Sequence, residues 1–118
     1  MYRISGGLFN PAVTFGLYLS GQLPWKRAAF LVPSQLIACI CAGAVVEVLF
    51  PGDIGSVNTT LAPGVSIAQG VFAEMFFTSY LVFVVLILAT EKSRDTFIAP
   101  IGIGLALFVA EIPGICLT

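Results

Sequence analysis

The sequence has no histidine and very little charge, since Asp, Glu, Lys and Arg together make up only 9% of its 118 residues. A soluble domain carries about 25% charged residues. The lack of histidine removes the usual general base and the commonest metal ligand, and a net charge of −1 leaves no basic surface for nucleic acid. There is also no Ser or Cys motif of nucleophilic catalysis. We therefore expect neither an enzyme nor a cofactor-binding, metal-binding or nucleic-acid-binding protein.

Cysteine is also scarce, and its three residues are badly placed for a shared site. Cys39 and Cys41 stand two positions apart, which puts them on nearly opposite sides of a helix. Cys116 is remote in sequence. We expect all three to be packing or lipid-facing thiols.

What the sequence has instead is apolar length. Hydrophobic residues make up 58% of the chain and its mean hydropathy is +1.06, which predicts an integral membrane protein. A span needs about 20 apolar residues, and residues 28–50, 67–90 and 97–117 meet that requirement. Residues 51–66 are rich in Gly, Pro, Asn and Thr, as loops are, and residues 91–96 form a short charged connection.

The basic residues predict the orientation of these spans. All of them fall on one predicted side, which the positive-inside rule assigns to the cytoplasm. The long loop, residues 51–66, is then exoplasmic and contains a glycosylation sequon at Asn58. The basic residues are Arg3, Lys26, Arg27, Lys92 and Arg94.

Residues 1–24 contain a further helix that is too short to span. Asn10 is a favourable N-cap, and Pro11 suits the first helical position because its missing N–H is no loss there. A helix from Pro11 to Leu19 would extend about 14 Å, roughly half of the hydrocarbon core. Irregular backbone at that depth is tolerated only when it is buried in protein or lines a wet cavity. The pattern therefore predicts a re-entrant half-helix at a pore or solute site.

The start of this half-helix offers both donors and acceptors. Asn10 has two interpretations: an ordinary N-cap on a short surface helix, or an amide that donates into a pore at the positive end of a helix dipole. The carbonyls of Gly7, Leu8 and Phe9 cannot bond within the helix, so they would act as acceptors. A row of acceptors meeting a donor suits single-file water or a small polyol and opposes cations.

Four of the polar residues inside the apolar runs are candidate site or structural residues. A carboxyl in the middle of a span costs about 2.5–3.5 kcal/mol on insertion scales, so Glu74 is expected to be buried against backbone donors of a neighbouring loop; a proton relay is the alternative. Thr78 shares its face, and Gln35 is an interior polar residue of the first run. Glu111 is expected near the exoplasmic boundary, either as an interfacial carboxyl or as a pore residue.

Small residues recur at every fourth position of the last run. Such a stripe lets a second helix approach closely. Its members are Gly102, Ala106, Ala110 and Gly114.

The stretch from Ser5 to Thr14 resembles the first Asn-Pro-Ala loop of the aquaporin, or major intrinsic protein, family. The resemblance covers the whole chain, and this extended loop motif is specific, whereas Asn-Pro-Ala alone is weak. Other positions resemble fungal members of the family: Gln35, Glu74 with Thr78, residues 89–92 and residues 97–102.

The resemblance implies an all-α channel with six spans in two inverted halves, a second Asn-Pro-Ala half-helix and a homotetramer with one pore per subunit. On that plan the chain is expected to be a central fragment: a partial bundle with one re-entrant half-helix and three transmembrane helices. We expect it to sit among lipids of the plasma membrane or an internal membrane. The implied function is passive permeation of water, with glycerol or other small neutral solutes open. The alternative is a non-conducting fragment that at most associates with full-length subunits.

The resemblance also assigns roles to residues. Asn10, Pro11, Ala12 and Val13 would line the pore, and Glu74 would bond the backbone of a second loop. Leu8 stands where many members have His, which leaves pH or metal control there open. Glu111 would sit at the outer constriction. Water-selective members often have His at that position and glycerol carriers a smaller residue, so selectivity also stays open.

Overall fold

The computed structural model describes residues 6–52, 55, 59–90 and 98–115. Within these residues all regular secondary structure is helical, which confirms the predicted fold class of an all-α membrane bundle. The helices are α1 (Pro11–Leu19), α2 (Trp25–Leu49), α3 (Ile67–Thr90) and α4 (Ala99–Ile115).

The chain forms two compact units, of which the first is Met1–Asn58. Here α1 begins at Pro11 as expected, after an extended Asn10 with φ −119° and ψ 124°. The helix ends where Gly21, at φ 76°, turns the chain. In this turn the N–H of Gly21 donates to the carbonyl of Tyr18 at 3.0 Å. The half-helix is therefore nine residues long and closed at both ends by local hydrogen bonds.

The second helix, α2, begins three residues before the apolar run expected at residues 28–50. Trp25, Lys26 and Arg27 make its first turn, which is exposed. Pro33 lies inside the helix and supplies no N–H. Beside it, the Ser34 hydroxyl donates to the carbonyl of Phe30 at 2.8 Å. One side of α2 packs on α1 and the loop after it, so that unit 1 buries Val13, Thr14, Leu23, Ala28 and Gln35.

The second unit, Thr59–Thr118, is built on the helix pair α3 and α4. The α4 helix has 17 residues and is shorter than the run expected at 97–117. Residues 97, 116 and 117 lie outside the described residues, as does the expected sequon at Asn58. By length and composition, α2 and α3 can cross a membrane. Only 6% of the most apolar stretch of α2 and 11% of that of α3 is buried, which is unlike the core helices of a soluble protein.

The two helices of this unit meet along the small-residue stripe. A Cβ atom added to Gly102 would lie 2.6 Å from Cδ1 of Leu88, which is tighter than real contacts. The absent side chain at this position lets α3 and α4 approach. The stripe is buried or half-buried along its length, in agreement with the prediction from its spacing, and Leu81 and Val85 are buried on α3.

The chain enters α3 through a well-ordered turn. A Pro63-Gly64 turn, with Gly64 at φ 91°, is closed by a 3.0 Å bond from the N–H of Val65 to the carbonyl of Ala62. Ser66 and Gln69 then form a reciprocal capping box at 2.8 and 3.2 Å. These bonds fix the start of α3 at the expected residue, 67.

Candidate functional site

The side-chain amide of Asn10 is held by its oxygen. Oδ1 accepts from the backbone N–H of Ala12 at 2.8 Å and of Val13 at 3.3 Å. The nitrogen end, Nδ2, has no acceptor among the described residues, and Asn10 is exposed. Asn10 can therefore cap the helix and donate a hydrogen bond into a pore at the same time, because capping uses Oδ1 and donation would use Nδ2.

Two glycines with left-handed backbone lead into the half-helix. Gly6 has φ 79° and Gly7 has φ 65°, a region that other residues rarely adopt. A Cβ at Gly6 would also lie 3.4 Å from Nη2 of Arg27, on the first turn of α2. The Gly-Gly pair thus shapes the irregular backbone that presents the following carbonyls.

A buried hydrogen-bond network ties this backbone to α2. Nε2 of Gln35 donates to the carbonyl of Leu8 and to Oγ1 of Thr14, both at 3.0 Å. The Thr14 hydroxyl donates to the carbonyl of Asn10 at 2.9 Å, with Oε1 of Gln35 more distant at 3.4 Å. Thr14 is 0% exposed and Gln35 is 8% exposed. A polar group in an apolar surrounding is costly unless bonded, and this network satisfies both side chains.

Thr14 is a site residue that the sequence reasoning missed. A helical Thr can donate to the carbonyl four residues earlier, and here that carbonyl belongs to the N-cap residue, Asn10. The spacing was visible in the sequence. The partnership with Gln35, 21 residues further on, was not.

The other residues expected to line the pore are placed differently from one another. Pro11 and Ala12 are half-buried, and Phe9 is 72% exposed. Val13 is only 8% exposed, because it lies beside Thr14 on the side of α1 that unit 1 buries. That its side chain lines a pore wall stays a prediction.

The burial expected of Glu74 and Thr78 is not provided by the described residues. Glu74 is exposed and Thr78 is half-buried. They lie on the same face as Leu81 and Val85, which packs against α4. The bonding of Glu74 to the backbone of a neighbouring loop therefore stays a prediction.

The contact between Leu88 and Gly102 sets the register of α3 and α4, and with it the level of Glu111 within this unit. Glu111 is exposed on α4 and level with about Ser79 of α3. At about 1.5 Å per residue this is roughly 18 Å from the start of α3 at Ile67. That Glu111 lies near the exoplasmic boundary, as an interfacial carboxyl or as a pore residue, stays a prediction.

Cys39 and Cys41 are free, exposed thiols on α2, and Cys116 lies outside the described residues. In the part of the chain that the structure describes, no three His, Cys, Asp or Glu side chains are grouped as metal ligands.

Comparisons with known proteins agree with this picture. The sequence model of the family described as Major intrinsic protein matches residues 1–118. The chain is 74% identical over 117 residues to Probable aquaporin-3 of Gibberella zeae, which is 99% of this chain and 41% of that protein. Aquaporin-7 and Aquaporin-2 of Botryotinia fuckeliana are each 55% identical over 99% of the chain, with 26% and 31% of their lengths covered. The chain thus spans less than half the length of these relatives.

Proposed function

The chain belongs to the major intrinsic protein family, and from that membership we propose that it forms part of a passive membrane channel for water. The family match covers the whole chain, which confirms the resemblance found in the Asn-Pro-Ala stretch. Relatives that are named aquaporins share up to 74% of its residues. Glycerol, or another small neutral solute, is the second permeant that we propose.

The geometry of Asn10 carries this proposal. Its oxygen is consumed by the N-cap, so the nitrogen remains as a donor at the positive end of α1. The carbonyls of Gly7, Leu8 and Phe9 precede it as acceptors. A neutral molecule with both donors and acceptors can replace its hydrogen bonds to water by bonds to these groups. A cation is repelled by the positive end of the helix dipole.

Permeation in such a site needs no covalent step. A water molecule that accepts from Nδ2 of Asn10 turns its own hydrogens away from the half-helix, toward carbonyl acceptors and neighbouring waters. Each group of the protein is held in place beforehand, so that little reorganisation is required as the solute passes. We propose that Glu111, in the second unit, is a further acceptor for the permeant.

The exposed surfaces of α2 and α3 support a membrane location and further protein neighbours. Nearly all of their apolar stretches are uncovered within the chain, and this surface is suited to lipid tails and to other helices. We propose a homotetramer for the full-length channel, which would bury part of it. The second candidate function is a non-conducting chain that associates with full-length subunits, for which the uncovered apolar surfaces of α2 and α3 would supply the contacts.

A chimeric channel tests the conducting role. The 118 residues replace the matching segment of the Gibberella zeae relative, and the chimera is reconstituted into liposomes. Stopped-flow light scattering after an osmotic step should show faster shrinkage than empty liposomes. The unaltered relative is the control: if it conducts and the chimera does not, at equal protein content, these residues do not form a working channel wall.

A further inference from the structure

Gln35 is the polar side chain that α2 buries within unit 1. From this helix its single amide nitrogen reaches two groups of the half-helix segment at 3.0 Å each. One is the carbonyl of Leu8, in the irregular backbone, and the other is the hydroxyl of Thr14, in the first turns of α1. Gln35 therefore bonds both the leading loop and the half-helix, so it can fix the position of one relative to the other.

The donors and acceptors of this contact can be counted. A primary amide has two N–H groups, and Gln35 directs one to Leu8 and one to Thr14. Thr14 then uses its own hydrogen on the carbonyl of Asn10 at 2.9 Å. A carbonyl oxygen has two lone pairs, so the bond from Gln35 leaves the Leu8 carbonyl with one.

We propose that Gln35, acting with Thr14, is a positioning residue that sets solute selectivity. This inference rests on the proposed channel function. Gln35 orients the Leu8 carbonyl, so that its remaining lone pair is offered to the permeant. Through Thr14 it also fixes the backbone of Asn10. A single side chain thereby sets the spacing between one acceptor and the donor of the site.

Spacing matters more for a polyol than for water. A water molecule can adjust its position to each group separately, whereas the hydroxyl groups of a polyol are covalently linked and must match neighbouring groups together. Loss of the Gln35 contact should therefore slow glycerol more than water. The free energy lost when a buried acceptor has no donor corresponds to a change of about fivefold or more in a rate.

The test uses the chimeric channel with two variants and two matched controls. Gln35→Met keeps the length of the side chain but removes both donors, and Thr14→Val keeps the shape but removes the hydroxyl. Thr14→Ser retains the hydroxyl. Ser34→Ala changes the neighbouring exposed residue, whose hydroxyl bonds within its own helix. Water and glycerol permeabilities are measured in liposomes and normalised to the amount of channel.

The ratio of glycerol to water permeability should fall about fivefold in Gln35→Met and Thr14→Val, and should not change in Thr14→Ser or Ser34→Ala. If both permeabilities fall together and the ratio stays constant, Gln35 only supports folding and the proposal is overturned. If Gln35→Met does not reach the membrane, Gln35→Asn is measured in its place. The Asn side chain is too short to bond both partners, so this variant should also lower the ratio of glycerol to water permeability. A chimera that conducts neither solute refutes the channel function itself, and the positioning role with it.

Discussion

At the scale of single residues, the proposed function gives two tasks to the amide of Asn10. The oxygen closes the start of α1 by accepting two backbone N–H groups, and the nitrogen would donate to the permeant. A substitution that keeps an oxygen acceptor but loses the amide hydrogens can separate these tasks. Asp is such a residue, and it is also a favourable N-cap.

We predict that Asn10→Asp in the chimeric channel keeps the fold but loses permeability. The carboxylate still caps the helix and gains about 0.3–1 kcal/mol from the helix dipole, so the amount of folded channel should be normal. Water permeability should fall about fivefold because the donor is gone. Asn10→Ala, which loses the cap at a cost of about 1 kcal/mol, is the comparison for stability. Normal permeability of the Asp variant would show that Nδ2 does not contact the permeant.

Glu111 is a second residue with a separable role. We predict that Glu111→Gln leaves folding nearly intact, because the shape is kept, but changes the ratio of water to glycerol permeability or the exclusion of cations. Glu111→His should move the channel toward water. Both are measured in the chimeric channel by osmotic shrinkage and by ion flux. Unchanged ratios at normal protein levels would mean that this carboxyl is only solvated and takes no part in selection.

Single residues also show which contacts can be predicted from the sequence and which cannot. The N-cap at Asn10 and Pro11 could be predicted, because capping depends on neighbours in the chain. Gln35 could be recognised only as an unusual polar residue in an apolar run. Its partners lie 27 and 21 residues away, and no local pattern specifies such a meeting.

At the scale of elements, the close approach of α3 and α4 depends on one missing side chain. We predict that Gly102→Val destabilises the chimeric channel by about 1–3 kcal/mol, since an added side chain meets Leu88. Leu88→Ala makes room, so the double variant should be more stable than the sum of the single effects predicts. Thermal unfolding in detergent measures this. Gly104→Ala, where a Cβ meets nothing within 4 Å in this chain, is the control.

Strict additivity of the two substitutions would contradict the contact between Gly102 and Leu88. The four-residue spacing of small residues was enough to predict that a helix approaches α4. It could not supply the register between the helices, which depends on how Leu88 fits the space over Gly102. For that reason the sequence alone could not say which residue of α3 lies level with Glu111.

Helix ends were predicted to different degrees. Those of α1 agree with the predicted bounds, and Asn10 and Pro11 are strong local signals for its start. The start of α2 was placed three residues too late, since hydropathy marks only the apolar part of a helix. Trp25 to Arg27 continue it as an exposed first turn, as aromatic and basic residues do at a membrane interface.

At the scale of the whole molecule, the re-entrant interpretation of α1 predicts the membrane topology of the residues around it. If α1 is re-entrant, the residues before and after it face the same side of the membrane. Single cysteines at Arg3 and at Lys26, in a chimera without other cysteines, should both react with a membrane-impermeant reagent from the cytoplasmic side. Labelling from opposite sides would contradict re-entry.

A second prediction at this scale concerns the 118 residues by themselves. An unmet backbone polar group in lipid costs several kcal/mol, and one half-helix with three further helices offers too few neighbours to enclose a pore. Liposomes that contain only this chain should shrink no faster than empty ones, while the full-length relative should shrink faster. Rapid shrinkage with the chain alone, once its insertion is verified, would refute this expectation.

The bond between Gln35 and Leu8 joins residues 27 apart, and this separation has a consequence for biogenesis. A ribosome makes the chain from its N-terminus, so the half-helix is synthesised before the amide that anchors it exists. Nine residues are too few to be threaded across the bilayer as a span. If α1 is re-entrant, its segment can be anchored only after α2 has entered the membrane, because the amide of Gln35 belongs to α2. Insertion of these two helices would then follow the reverse of the order of translation.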